Sequence, residues 1–226
     1  MKPLPAPPPG DDVFHLVWLT GPSCDGCTIG AIGDTTAGGL EALLTGTAAG
    51  LPRIELVHPA LSFDSGDEFV EHLRRASRDE LDPFALIVEA SIPNERLAGD
   101  GFFSGLGEED GKPIPIADWV DRLAPRAAIV LAFGDCGVWG GPHSLAPNPS
   151  GATGVGVHLG LGYRSTLGLP VINLPGCCAP PVLIATLATL LRHARGDGPP
   201  LELDDTNRPI FAYPEKWKGA LSVWSE

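Results

Sequence analysis

Residues 13–30 read VFHLVWLTGPSCDGCTIG. The run Val13–Leu19 is short, apolar and rich in strand-forming residues, and it passes straight into a glycine turn bearing Cys24 and Cys27. An apolar run of this length, bounded by turn residues, predicts a strand buried on both faces. Four later segments repeat the pattern: Ile54–Val57, Phe84–Ala90 (FALIVEA), Ala127–Phe133 (AAIVLAF) and Val171–Leu174. Helical patterns fall between them. Gly39–Leu44 is short. Asp67–Ser77 (DEFVEHLRRAS) gathers Phe69, Val70 and Leu73 on one face and puts Asp67 and Glu68 at the positive N-terminal end. Ile116–Leu123 groups Trp119, Val120 and Leu123, and Pro181–Arg195 starts with proline, ends in cations and meets Gly196. Strands alternating with helices predict an α/β fold with a parallel sheet covered on both faces.

The chain has 226 residues, 43% hydrophobic and 19% charged, enough for one large core and too apolar for global disorder. Its 29 glycines and 24 prolines predict long ordered loops, and Ser91–Lys112 and Gly134–Pro170 are the two candidates. Residues 1–12 read as a Pro-rich arm and 13–198 as the main domain. Residues 199–226 read as a tail whose Phe211, Tyr213, Trp217 and Trp224 are too apolar for a free linker, so it should dock on its own domain or on a partner. A net charge of −13 disfavours nucleic acid, which needs a basic stripe. No apolar run approaches bilayer length and the start carries no export signal, so a cytoplasmic protein without a membrane span is expected. Thiols stay reduced there, and an odd count of five cysteines argues for metal or catalysis over a disulfide frame.

Four cysteines lie just past three predicted strand ends: Cys24 and Cys27 after the first, Cys136 (FGDCGVWGG) after the fourth and Cys177 (NLPGCCAPP) after the fifth, with Cys178 beside it. The carboxyl ends of parallel strands share one edge, so these turns should meet. Structural zinc usually draws on two close cysteine pairs, whereas this chain has one pair and two scattered donors, a pattern an iron–sulfur cluster tolerates. Glycines flank the cysteines and leave room for close backbone approach. Other readings stay open. A C-x-x-C after a first strand can be a thioredoxin-type redox pair, but that needs a helix at the first cysteine, which Gly26, Gly30 and Gly33 make poor. Cysteines can also be plain small core residues.

The three cysteine segments, VWLTGPSCDGCTIG, GDCGVWGG and NLPGCCAPP, together with LVHPALSFDSGDEF and the late NRPIFAY, resemble the small subunits of nickel–iron hydrogenases. That resemblance implies a flavodoxin-like domain holding one proximal [4Fe–4S] cluster on Cys24, Cys27, Cys136 and Cys177. It also implies a Ni–Fe centre in a partner large subunit, and an electron acceptor or further redox subunit to take the electrons. The enzyme would be an oxidoreductase, a hydrogenase, active only as a complex. Nothing after Cys178 offers another thiolate, so the resemblance implies either a one-cluster short form or a chain shortened from a longer parent. Gly26 and Gly141 stand where some oxygen-tolerant members carry extra cysteines, and Ile29 stands where an acidic residue is frequent. Cys178, where the family usually shows proline, is expected to be a spare buried thiol, with an alternative ligand or an oxidation-sensitive neighbour as the other readings. The cluster-bearing subunit of complex I shares the domain but has its tandem cysteines in the first segment, so it is the runner-up beside a zinc-stabilised interaction module.

The remaining polar residues have plainer expected roles. Asp25 and Asp135 are predicted to serve turn and cap chemistry, although charge beside a ligand also lowers a cluster's potential. Trp18 and Trp139 are read either as core or as shields of the site. His143 is expected to be a loop histidine, and His15 and His58 structural. Glu89, Asp64 and Asp67 form no evident acid–base pair, and 107–110 (GEED) reads as a solvated loop. No phosphate-binding loop is present, and the G-x-G within 151–162 lacks a strand–helix context.

Overall fold

A computed structural model of the chain describes residues 13–35, 39–47, 52–62, 64–81, 83–179, 183–195 and 201–213. The strands are β1 (Val13–Thr20), β2 (Arg53–Val57), β3 (Phe84–Glu89), β4 (Gly105–Glu109), β5 (Lys112–Pro115), β6 (Ile129–Phe133) and β7 (Ile172–Leu174). The helices are α1 (Gly26–Ile32), α2 (Gly39–Leu44), α3 (Asp67–Ser77), α4 (Ile116–Leu123), α5 (Gly134–Trp139), α6 (Val155–Leu159) and α7 (Leu183–Arg195). Five strands form one parallel sheet in the order β2-β1-β3-β6-β7, with Leu16 beside both Leu56 and Ala85. With the β4–β5 hairpin set aside, this is the flavodoxin order, whose strand direction of growth reverses between β1 and β3.

The period-2 alternation of β1 divides the core. Phe14, Leu16 and Trp18 face Leu40 of α2 and Leu183, Leu187 and Leu191 of α7. Val17 and Leu19 face Phe69, Val70 and Leu73 of α3 and Trp119, Val120 and Leu123 of α4. Strands β3 and β6 are buried throughout, because helices cover both faces of the sheet centre. Each fully buried Leu, Ile or Val here contributes about 1.5–3 kcal/mol.

Several elements differ from the sequence expectations. A helix forms at Gly26–Ile32 despite its glycines, for a reason found in the site below. The segment Ser91–Lys112 is not wholly a loop. It includes a 3-10 turn at Glu95–Leu97 and runs into the β4–β5 hairpin. Asp110 and Gly111 both adopt positive φ (52° and 72°), the backbone a tight hairpin turn requires, so GEED is strand and turn rather than free loop. The segment Gly134–Pro170 likewise holds α5, a 3-10 turn at Gly141–Ser144 and α6. The two segments are stitched together where Ile92 and Thr153 exchange backbone hydrogen bonds of 2.9 and 3.0 Å.

The last helix is described from Leu183, and Pro181 lies outside the described residues. Leu201, Leu203 and Ala212 pack against the α7 side of the core, and Tyr213 is buried there. The arm 1–12 and the tail beyond 213, with Trp217 and Trp224, also lie outside the described residues. Among the described residues no helix is long and apolar enough to cross a membrane.

Candidate metal centre

The site sits at the carboxyl ends of β1, β3, β6 and β7, across the reversal point of the sheet. Cys24 precedes α1 and Cys27 lies in its first turn. The sequence GCTIGAI is a poor helix by propensity, and the first N–H groups of any helix lack intrahelical partners. Asp25, in the N-cap position at φ 54°, offers no side-chain cap. The missing acceptor comes from β3. Glu89, its last residue and fully buried, accepts the N–H groups of Cys27 (3.0 Å) and Thr28 (3.2 Å) on one oxygen. It accepts the Thr28 hydroxyl (2.5 Å) on the other. His58, just past β2, completes the chain. Its Nδ1 accepts from the Ala60 N–H (3.0 Å), so Nε2 carries the hydrogen and donates to Thr28 Oγ1 (3.2 Å). Burial pushes the His58 imidazole down to about 4, only partly offset by Asp25, so the ring is neutral. Burial also pushes the Glu89 carboxyl up, against the pull of its hydrogen bonds from Thr28 and Cys27.

The other turns are tied to this one. The Asp135 N–H donates to the Gly176 carbonyl (3.0 Å), and the Gly176 N–H returns a bond to Asp135 Oδ1 (2.8 Å). The turn of Cys136 is thereby locked to that of Cys177. The Ala179 N–H donates to Cys27 Sγ (3.3 Å), and the Tyr213 hydroxyl braces the Pro175 carbonyl (3.0 Å). Glycines press against the sulfurs. A Cβ on Gly134 would fall on Cys27 Sγ, and its φ of 75° already excludes most side chains. A Cβ on Gly141 would stand 2.7 Å from Cys136 Sγ, and one on Gly26 3.2 Å from Cys24 Sγ and 2.8 Å from Cys178 Sγ. Cys24 acts electrostatically on Cys27, Cys136 and Cys177. The structure therefore brings Cys24, Cys27, Cys136 and Cys177 to one place, with Cys178 as a fifth sulfur.

This is a poor place for bare thiolates. Burial, then the Glu89 carboxylate and the sulfurs of Cys178 and Cys24, push the Cys27 thiol up to about 12, against the Ala179 N–H. Burial and the neighbouring sulfurs push Cys136 up to about 11, and Cys177 is raised in the same way. A metal bound to the sulfurs would favour their thiolate forms. An all-sulfur donor set backed by glycines fits an iron–sulfur cluster. Among the described residues no group of three or more His, Cys, Asp or Glu side chains is arranged to hold a single metal ion.

Around the sulfurs, Asp135 serves the turn as just described, and Asp25 accepts from the Ser23 hydroxyl (3.1 Å). Trp18 is core, its ring edge-on to His58 and Phe133 at 5.1 and 5.4 Å. Trp139 is half exposed at the end of α5. His143 is a loop residue paired with Ser91 Oγ (3.1 Å). Cys178 is exposed, which corrects the expectation of a buried spare thiol: the turn after Gly176 runs over the surface of the site. Glu89, Thr28 and His58 are the site residues that the sequence reading missed. One signal for Glu89 is present in FALIVEA, where a carboxylate closes an otherwise apolar buried strand.

Residues 24–191 match the family described as NADH ubiquinone oxidoreductase, 20 kDa subunit, a span that begins at Cys24 and contains all five cysteines. The Hydrogenase-2 small chain of Escherichia coli K12 is 31% identical over 205 residues, 88% of this chain and 47% of that protein. The periplasmic [NiFe] hydrogenase small subunit of Solidesulfovibrio fructosivorans is 28% identical over 200 residues, 88% of this chain and 55% of its own. An actinobacterial-type NiFe-hydrogenase from Ralstonia eutropha H16 superposes with a TM-score of 0.83 at 38% identity, over 90% of this chain and 60% of that one. The chain spans about half the length of the curated relatives it matches. By this match the chain belongs to the family of the NADH ubiquinone oxidoreductase 20 kDa subunit, and its relatives there include the small chains of nickel–iron hydrogenases.

Proposed function

We propose that the chain is the electron-transfer small subunit of a nickel–iron hydrogenase, working only in complex with a large subunit that holds the Ni–Fe centre. The observation that carries this reading is the meeting of the turns of Cys24, Cys27, Cys136 and Cys177 at one sheet edge, with glycines against the sulfurs of Cys24, Cys27 and Cys136. The hydrogenase small chains among its relatives support it. In this reading the four thiolates hold one [4Fe–4S] cluster, which when bound supplies one-electron transfer. The chain's own residues hold the sulfurs in place. Glu89 and His58 fix the turn of Cys27, and Asp135 couples the turn of Cys136 to that of Cys177.

Burial of Cys27 keeps water from one side of the site, while Cys24 and Cys177 are exposed on the other. The elements around that open side expose Ile29, Ile32, Trp139 and Leu145. An apolar rim beside an exposed redox site is a docking face, and we assign the large subunit to it. Electrons then pass to an acceptor or a further redox subunit, and reduced thiols suit a cytoplasmic setting.

Anaerobic purification of the full chain with its co-purifying partner, followed by metal analysis, tests this. About four iron and four sulfide per chain are expected, the content of one cube, with nickel carried by the partner and iron lost in Cys24→Ser. The family description favours one second reading, a cluster-bearing subunit of a complex I-like assembly. That assembly would carry iron and sulfide without nickel. A colourless zinc protein would overturn both.

A further inference from the structure

We infer that Cys177 and Cys178 are alternative ligands for one corner of the cluster, so that the fourth iron–sulfur bond can be made by either. This rests on the cluster reading above. Cys178 Sγ lies 2.8 Å from the point where a Gly26 side chain would begin, and Cys24 Sγ lies 3.2 Å from the same point. Cys178 acts electrostatically on both Cys27 and Cys177. Cys177 interacts electrostatically with Cys24 and Cys136.

The backbone explains how both stay within reach. Gly176 is pinned to Asp135 by two hydrogen bonds, and the Ala179 N–H is pinned to Cys27 Sγ. Only Cys177 and Cys178 lie between these anchors, and both are exposed, so packing locks neither side chain. Cys27, by contrast, is buried with a donor on its sulfur. Glycine at position 26 leaves the space that the Cys178 sulfur uses. The exchange balances simply: one iron–sulfur bond to Cys177 breaks, one to Cys178 forms, and a thiol proton passes from Cys178 to Cys177. No electron is gained or lost.

The test compares the anaerobically isolated complex as wild type, Cys177→Ala, Cys178→Ala and the double variant, by iron and sulfide content and by the paramagnetic resonance of the reduced cluster. Each single variant should keep the wild-type iron content, with resonance spectra that differ between the two, and the double variant should lose iron. The wild type should show two overlapping signals, of which Cys178→Ala retains one, a readout independent of how Cys177→Ala folds. Loss of iron in Cys177→Ala but not in Cys178→Ala would overturn the inference, as would full iron in the double variant or an identical single signal in wild type and Cys178→Ala. Full iron in Cys24→Ala would instead strike the cluster reading itself.

Discussion

Helices α1 and α3 are held in opposite ways. Helix α3 carries what it needs within its own neighbourhood. Phe69, Val70, Leu73 and Ala76 form its buried face, Asp67 and Glu68 stand at its N-terminus, and Arg74 and Arg75 in its last turn. Glu71 pairs with Arg78 at 2.7 Å and with Arg74 at 3.6 Å. Helix α1 has no charged residue of its own, buries only Cys27, Thr28 and Ala31, and leaves Ile29 68% exposed. Its N-terminal N–H groups depend on Glu89, more than sixty residues away, and its Thr28 hydroxyl on His58. The cysteine pair is therefore placed by a long-range polar contact on a helix that local propensity would not form. Buried polar atoms should control α1, and apolar packing should control α3.

Removing the acceptor is the sharpest way to break that contrast. Glu89→Ala strands two buried N–H groups and a hydroxyl, each worth about 1–3 kcal/mol when unsatisfied. Denaturant unfolding should show a loss of several such increments together with loss of bound iron, whereas Glu89→Gln, which keeps an acceptor, should lose less of both. Unchanged stability in Glu89→Ala would mean that α1 holds itself.

The histidine end of the chain has a pH signature. A buried histidine whose folded value is depressed takes up a proton more readily in the unfolded chain. His58 therefore contributes in full above its ordinary value of 6.5, and its contribution is withdrawn as pH falls toward about 4. The total is at most roughly 3.5 kcal/mol at about 1.4 kcal/mol per pH unit. The raised Glu89 carboxyl works the other way, losing stability as pH rises through its folded value. Comparing wild type with His58→Gln isolates the imidazole: the variant should show a flatter fall in unfolding free energy between pH 6.5 and 4. An identical slope would remove His58 from the account.

A third change acts on the sulfur directly. Gly134→Ala forces a side chain onto Cys27 Sγ at a positive φ, where an alanine costs about 1–2 kcal/mol before any clash. Iron content should fall more than the unfolding midpoint does. The smallest effect belongs to α3. Arg78→Ala removes fully exposed ion pairs to Glu71 and Glu80, so its denaturation midpoint should be hard to separate from wild type and should merge with it at high salt.

The same contrast explains what is legible in the chain. The five parallel strands are short apolar runs between turn residues, and α3 and α4 have a clear helical period, so local patterning finds them all. The meeting of the cysteine turns follows from topology, because parallel strands put their carboxyl ends on one edge. Helix α1 is illegible because its cap lies on β3, and β4–β5 is easily taken for loop because its strands are Gly- and Glu-rich and only the Asp110–Gly111 turn marks them. Glu89 and His58 look unremarkable one at a time. Their pairing exists only once β2, β1 and β3 lie side by side.

The stretch 201–213 has a consequence for the margin of the sheet. Strand β7 is outermost, and an outermost strand offers unpaired backbone groups to any passing chain. Here the Asn207 carbonyl already takes the Asn173 N–H at 3.0 Å, and the Asn173 side chain donates to the Thr206 carbonyl at 2.7 Å. The strap occupies the hydrogen-bonding seam that self-association would use, while its end, Tyr213, props up the turn leading to Cys177. Covering the outermost strand and bracing the turn before Cys177 thus fall to the same thirteen residues.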